Sequence, residues 1–156
     1  IGVDTRFDKL LFMRDKNRRL AQADGLRLPF RDGAFPCVIC SQVIEHIPEE
    51  NGRLLDELTR ILACGGTLIL GTPDYGNWQW RVIEWMYRRV APGAYGDEHV
   101  THYTYRSLTE ALRARGYTLV DHQYICKGEL ILKALRRGNP TEVCSNPVPS
   151  PSKKLH

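Results

Sequence analysis

The stretch that decides the fold is Tyr117–Leu135, "YTLVDHQYICKGELILKAL". It holds two strand-like runs, "YTLVDHQYI" and "GELILKAL", separated only by Cys126, Lys127 and at most Gly128. A parallel crossover needs about a dozen residues or more. The two runs must therefore form an antiparallel hairpin.

Upstream of this hairpin, strand and helix signals alternate. "IGV" is followed by a predicted helix of about 15 residues with Phe7, Leu10 and Leu11 on one face. "LAQA" ends at Asp24, and "DGLRLPFRDGAF" carries loop punctuation. "CVICS" is a continuous apolar run, expected of a strand buried on both faces. "PEENGRLLDELTRIL" places Leu54, Leu55, Leu58, Ile61 and Leu62 at helical spacing, with Pro48 in the first turn and Gly65-Gly66 at the end. "TLILGT" is the next strand. Thr104 or Ser107 caps a further helix that turns Leu108, Ala111 and Leu112 inward and stops at Gly116. Such alternation predicts an α/β fold: a mostly parallel sheet with helices on both faces and one reversed strand near an edge.

The chain has 156 residues, enough for one domain with a core. It is 42% hydrophobic and 26% charged, ordinary values for a globular protein. The net charge of +4, partly in Lys153 and Lys154, is too weak and scattered to suggest a nucleic-acid partner. No apolar run approaches the roughly 20 residues of a membrane span, and no signal peptide is evident. The first residue is not Met, and an upstream segment is expected. From Gly138 onward Pro and Ser accumulate without periodicity, so residues 1–137 are read as the domain and 138–156 as a disordered tail. Five cysteines form no framework. Cys37 and Cys40 would face opposite sides of a strand and cannot grip one metal, so buried thiols in a reducing cytoplasm are expected.

Ligands in open α/β sheets bind beyond the carboxyl ends of the strands. Asp4 ends the first strand, where a carboxylate can accept from two ribose hydroxyls. Asp24 ends the next, with the small Gly25 behind it; its carboxylate can accept from an adenine amino group. Ser41 and Gln42 follow "CVIC" and can edge the same ligand. Each acid taken alone also suits a cap or a turn. Asp4 alone would equally suit a nicotinamide dinucleotide, but the hairpin argues against that all-parallel fold.

These pieces resemble a class I S-adenosylmethionine-dependent methyltransferase of the small-molecule type. "IGVD", "ADGLRLPFRDGAF", "VICSQVIEHIP", "LLDELTRILACGGTLILGTP", "HYTYRSLTEALRARGY" and "GELILKA" run in the family's order from Ile1 to about Ala134. The resemblance implies a Rossmann-like sheet ending in a reversed-strand hairpin, here lacking the first strand and its glycine-rich loop. It implies S-adenosylmethionine as cofactor. Asp4 and the adjoining Thr5 would hold the ribose, Asp24 and Gly25 the adenine, and Ser41 and Gln42 the methionine part. The reaction implied is methyl transfer to an oxygen or carbon nucleophile of a small metabolite, lipid or quinone-like acceptor. Pro36 replaces an acid common in the family, one that supports the missing loop. The chain alone is therefore expected to bind the cofactor weakly and to be inactive. A degenerate, non-catalytic domain acting through protein contacts is the alternative.

Candidates for the acceptor side are histidines, the commonest general bases near neutral pH. His46 can be a base, orient the substrate, or simply pack under the cofactor loop. His102, in the His99–Tyr105 segment, can be base or substrate contact, or cap the following helix. Some related enzymes hold a divalent metal with an ExxEH cluster. Here Gln42 replaces its first acid, leaving Glu45, His46 and either His99 or His102, and a neutral amide weakens a hard-cation site. No metal is expected. Finally, "NWQWRVIEWMYRRV" sets Trp78, Val82, Trp85, Met86 and Val90 on one helical face, with Arg81, Arg88 and Arg89 elsewhere. Core packing is the plain reading; a lid over a lipid-like acceptor, touching a membrane surface, is the sharper one.

Overall fold

The hairpin forms as its short turn requires. In the computed structural model, which describes residues 1–14, 19–48, 52–90 and 99–138, β5 (Tyr117–Ile125) and β6 (Glu129–Arg136) pair antiparallel. β6 also pairs antiparallel with β4 (Leu62–Pro73), and β4 pairs parallel with β3 (Phe35–Ser41). The sheet order is β3-β4-β6-β5. Three strands thus run one way and only β6 is reversed. A second, two-stranded parallel sheet holds β1 (Gly2–Asp4) and β2 (Leu20–Gln22). The two sheets share no ladder. The expected missing central strand would fall between them, and β1 and β3 each keep one edge without a strand partner among the described residues.

The core lies between the larger sheet and two helices. α2 (Arg53–Ile61) buries Leu54, Leu55, Leu58 and Ile61, as its spacing predicts. α4 (Tyr105–Ala114) buries Leu108 and Leu112 completely. Removing each such leucine from water contributes about 1.5–3 kcal/mol. Opposite them stand Leu68 and Leu70 of β4 and Leu130, Leu132 and Ala134 of β6. α4 starts in a capping box. Thr104 Oγ1 accepts from Ser107 N at 3.0 Å, and Thr104 N donates to Ser107 Oγ at 3.0 Å.

Several expectations are corrected. α1 spans only Phe7–Met13, and of its apolar face only Leu10 is buried; Phe7 and Leu11 are exposed. The helix rests on two short strands, too small a surface to cover the stripe. β3 is not buried on both faces. Cys40 is inside, but Ile39 is 68% exposed and Cys37 is also outside, because nothing described covers that face. α2 begins at Arg53 and not near Pro48. Gly52 has φ of +61°, a left-handed conformation that cannot continue a helix backwards. The helix stops at Ile61 and not at Gly65-Gly66, since Leu62 is already extended and opens β4. α3 (Trp78–Val90) forms, but Trp78, Val82, Trp85 and Met86 are exposed and not core. Arg89 sits 5.4 Å from the Trp85 ring, a cation–π distance. No described helix is long and apolar enough to cross a membrane. The tail expected at 138–156 lies, from residue 139 on, outside the described residues.

Candidate functional site

The strand ends gather the predicted residues into two groups. Asp4 is half-buried at the tip of β1, and its Oδ1 accepts from Arg6 N at 2.8 Å. β2 leaves beside it: Ala23 N donates to Asp4 O at 3.2 Å, and Gln22 Nε2 donates to Thr5 O at 2.9 Å. This brings Asp4, Thr5, Asp24 and Gly25 to one sheet end. Asp24 is exposed, and its Oδ1 accepts from Leu26 N at 2.9 Å. Turn formation therefore uses one oxygen of each acid. A Cβ on Gly25 would stand 3.3 Å from Leu54 Cδ1, so its small size also serves the packing of α2.

Ser41 and Gln42 end β3, in the other sheet. Gln42 has a left-handed φ of 54°, uncommon for a residue with a side chain and worth relating to function. Its N–H donates to Gly71 O at 2.9 Å, and its Nε2 to Glu129 Oε1 at 2.7 Å. A Cβ on Gly71 would fall 2.8 Å from Ser41 Oγ and 3.0 Å from Ile131 Cδ1, so a larger residue there would make both side chains shift. No hydrogen-bonded ladder links this pair to Asp4 and Asp24.

The histidines do converge. A short 3-10 turn, Ile44–His46, follows β3, and Val100 N and Thr101 N both donate to Glu45 O at 2.9 and 3.0 Å. Thr101 Oγ1 donates to Ile47 O at 2.6 Å. These bonds lay residues 99–102 against the turn. The His46 and His99 rings are 4.9 Å apart. His99 Nδ1 shares a 2.7 Å hydrogen bond with Tyr75 Oη, and the Tyr75 ring lies 4.1 Å from that of His102. Trp80 stacks on His99 at 6.5 Å. His46 and His102, predicted independently, thus border one aromatic cluster at the carboxyl ends of β3 and β4. Neither caps α4; Thr104 does.

Two acids in this region are buried. Asp74, 4% exposed, follows β4 and accepts from Gly76 N (2.9 Å), Tyr105 N (3.2 Å) and Tyr124 Oη (2.7 Å). Burial first, and then the Asp74 carboxylate, push the Tyr124 hydroxyl up to about 12. Glu45 is fully buried; its Oε2 accepts from Thr72 Oγ1 at 3.1 Å, and its Oε1 has no hydrogen-bond partner. Burial raises its carboxyl above the ordinary range. Asp74, Tyr75 and Trp80 were missed from sequence. The signal was available: "PDY" directly follows an apolar strand, where α/β sheets place ligands.

The donor set fits a nucleoside-bearing cofactor in part. Two carboxylates at successive strand ends each keep an oxygen outside their turns, while the Ser41–Gln42 pair stands in a separate sheet.

A family model described as a methyltransferase domain matches residues 1–70. No curated protein matches the sequence. Among solved structures, a methyltransferase of Thermotoga maritima, described as a possible histamine N-methyltransferase, is 18% identical. It covers 88% of this chain and 73% of its own, with a TM-score of 0.72. An S-adenosylmethionine-dependent methyltransferase of Methanosarcina mazei is 16% identical, covering 87% and 81% with a TM-score of 0.66. The cyclase SpnF shares the fold at 17% identity, covering 88% and 66% with a TM-score of 0.65. The chain thus shares the Rossmann-like fold of these methyltransferases, and over residues 1–70 it is similar to the methyltransferase-domain family, whose likeness implies S-adenosylmethionine as cofactor.

Proposed function

We propose that this domain transfers a methyl group from S-adenosylmethionine to an oxygen or carbon nucleophile of a small metabolite, lipid or quinone-like acceptor. The supporting observation is the convergence of His46, His99, His102 and Tyr75 at the carboxyl ends of β3 and β4, next to Ser41–Gln42. When bound, the cofactor supplies an electrophilic methyl on a sulfonium. The chain's own residues orient and deprotonate. Asp4 and Thr5 hold the ribose, Asp24 and Gly25 the adenine, and Ser41 and Gln42 the methionine part. His102 and His46 take the acceptor's proton or aim it at the methyl. The exposed Trp78–Met86 face of α3 covers a lipid-like acceptor and touches a membrane surface, in a protein of the cytoplasm.

The test is calorimetry with S-adenosylmethionine on the gene product that carries this sequence. Asp4→Asn weakens binding at least tenfold. Wild-type protein that does not bind, or a variant that binds equally well, refutes the reading. A second reading, a non-catalytic domain acting through protein contacts, draws on the turn bonds of Asp4 and Asp24 and on the unjoined sheets. It expects no cofactor binding.

A further inference from the structure

Glu45 presents an unusual problem. Its carboxyl has no exposure, and its Oε1 has no hydrogen-bond partner. A group left unpaired in this way is costly to hold inside a protein. A proton does not remove the cost, since an Oε1–H would then lack an acceptor. His46 Nε2 lies 4.0 Å away, too far for a hydrogen bond. A second acid, Glu129, held by Gln42 Nε2 at 2.7 Å, stands near enough for its charge to act on Glu45. Burial, with Glu129 adding to it, raises the Glu45 carboxyl. A cation seated on Oε1 would answer both burial and repulsion.

The rings beside this oxygen are of the kind that receive an organic cation. A ring nitrogen of His99 lies within 4.8 Å of a Glu45 oxygen. His99 forms a triangle with Tyr75 and Trp80, with ring centroids 6.1, 6.3 and 6.5 Å apart. Tyr75 stands nearly upright to the other two, at 72° and 85°. A cation between these rings lies within the roughly 6 Å over which Tyr and Trp faces attract positive charge. One orphaned carboxylate oxygen and a set of ring faces suit an alkylammonium, which needs few oxygens and has carbon to bury. We propose that the acceptor of this site is a small molecule bearing an alkylammonium group, which donates to Glu45 Oε1 and rests against the Tyr75, Trp80 and His99 rings. His46 is the way in. Its side chain is 37% exposed beside that oxygen, so turning it outward opens the carboxylate. The ammonium positions the ligand, and the oxygen or carbon that takes the methyl group lies elsewhere on the same molecule.

This inference rests on the methyl-transfer reading only in calling the ligand the acceptor. Ammonium binding is measured without the cofactor, so the two fail separately. The probe is 2-phenylethylamine, with 2-phenylethanol as its neutral counterpart of similar shape. Calorimetry is run on the gene product that carries this sequence, at about pH 8, where an alkylamine is charged and an ordinary imidazole is not. The amine binds saturably and at least tenfold more tightly than the alcohol. Glu45→Gln keeps the shape, loses the charge and removes that preference. Trp80→Leu weakens amine binding at least threefold, and His122→Gln, outside the triangle, leaves it unchanged. No saturable amine binding, equal affinity for the two probes, or a preference that survives Glu45→Gln overturns the proposal. Should Glu45→Gln not fold, Trp80→Leu decides, and an undiminished preference there overturns it too. A protein that binds S-adenosylmethionine but not the amine sinks this proposal alone.

Discussion

Asp74 is the best place to test how the carboxyl end of β4 is held. Its carboxylate accepts three hydrogen bonds, from Gly76 N, Tyr105 N and Tyr124 Oη, and is 4% exposed. It therefore joins the end of β4, the first turn of α4 and the end of β5. Asp74→Ala leaves all three donors without an acceptor. A hydrogen bond to a charged group contributes about 1.5–3 kcal/mol, and the three are not additive. Removing one side of a buried charged contact costs about 3–5 kcal/mol. We expect a loss of about 4 kcal/mol, a large share of the roughly 5–15 kcal/mol of a native domain. At about 2–4 °C per kcal/mol for this chain length, the thermal midpoint falls by about 8–16 °C. Asp74→Asn keeps an acceptor for the two backbone donors, and the Tyr124 hydroxyl can turn to accept from the new amide, so it costs about 1 kcal/mol. Tyr124→Phe costs about 1 kcal/mol, because its partly exposed hydroxyl regains water in the unfolded chain. Urea unfolding of the four proteins and of Asp74→Ala/Tyr124→Phe gives the coupling between the two residues, about 1 kcal/mol. An Asp74→Ala variant within 1 kcal/mol of wild type, or a double variant strictly additive, refutes this account.

Leu112→Ala, at a fully buried position of α4, costs about 2–5 kcal/mol by urea unfolding, with little change in the slope. Trp85→Ser, at a residue 60% exposed, changes stability by no more than about 0.5 kcal/mol by the same measure. Acid weakens the fold through Glu57. Both its oxygens accept from Arg60, at 2.7 and 2.8 Å, and Oε1 also accepts from Leu28 N at 2.6 Å. The Arg60 guanidinium holds this carboxyl below its ordinary range. Its contribution is thus complete above the unfolded value of about 4.3 and is lost as pH falls through the lower folded value. The wild-type urea midpoint should fall on acidification below about pH 4.3 and converge with that of Glu57→Gln, whose own midpoint is flatter there.

Where a local rule had a single solution, the sequence was enough to read the structure. The Cys126–Gly128 turn is too short for a crossover, so β5 and β6 had to be antiparallel. The periodic leucines of α2 and α4 had to face a core. Periodicity reports that a helix has an apolar side, but not that anything covers it. Hence α1 and α3 formed as elements while Phe7, Trp78 and Trp85 stayed exposed. "CVICS" misled for the same reason, since an apolar run shows what a strand tolerates and not which faces are packed. The start of α2 turned on one left-handed residue, Gly52, with no flanking pattern to mark it. The candidate site was half legible. Strand-end rules led to Asp4, Asp24 and His46, and these do lie at or just past strand ends. The grouping of Glu45 with His99 has no local signature, because backbone bonds between distant segments create it.

The sheet order has a consequence for kinetics. β6, the last strand among the described residues, lies between β4 and β5 and pairs with both. Until it is in place, β4 lacks its long antiparallel ladder and β5 has no ladder at all. Thr67 and Leu135, and their neighbours in that ladder, must meet across half the chain, which raises contact order and slows folding. During synthesis the helices and the β3–β4 pair can form early, but β4 waits with an open edge until β6 emerges. That waiting edge is the point at which a nascent chain of this fold is most exposed to pairing with the wrong partner.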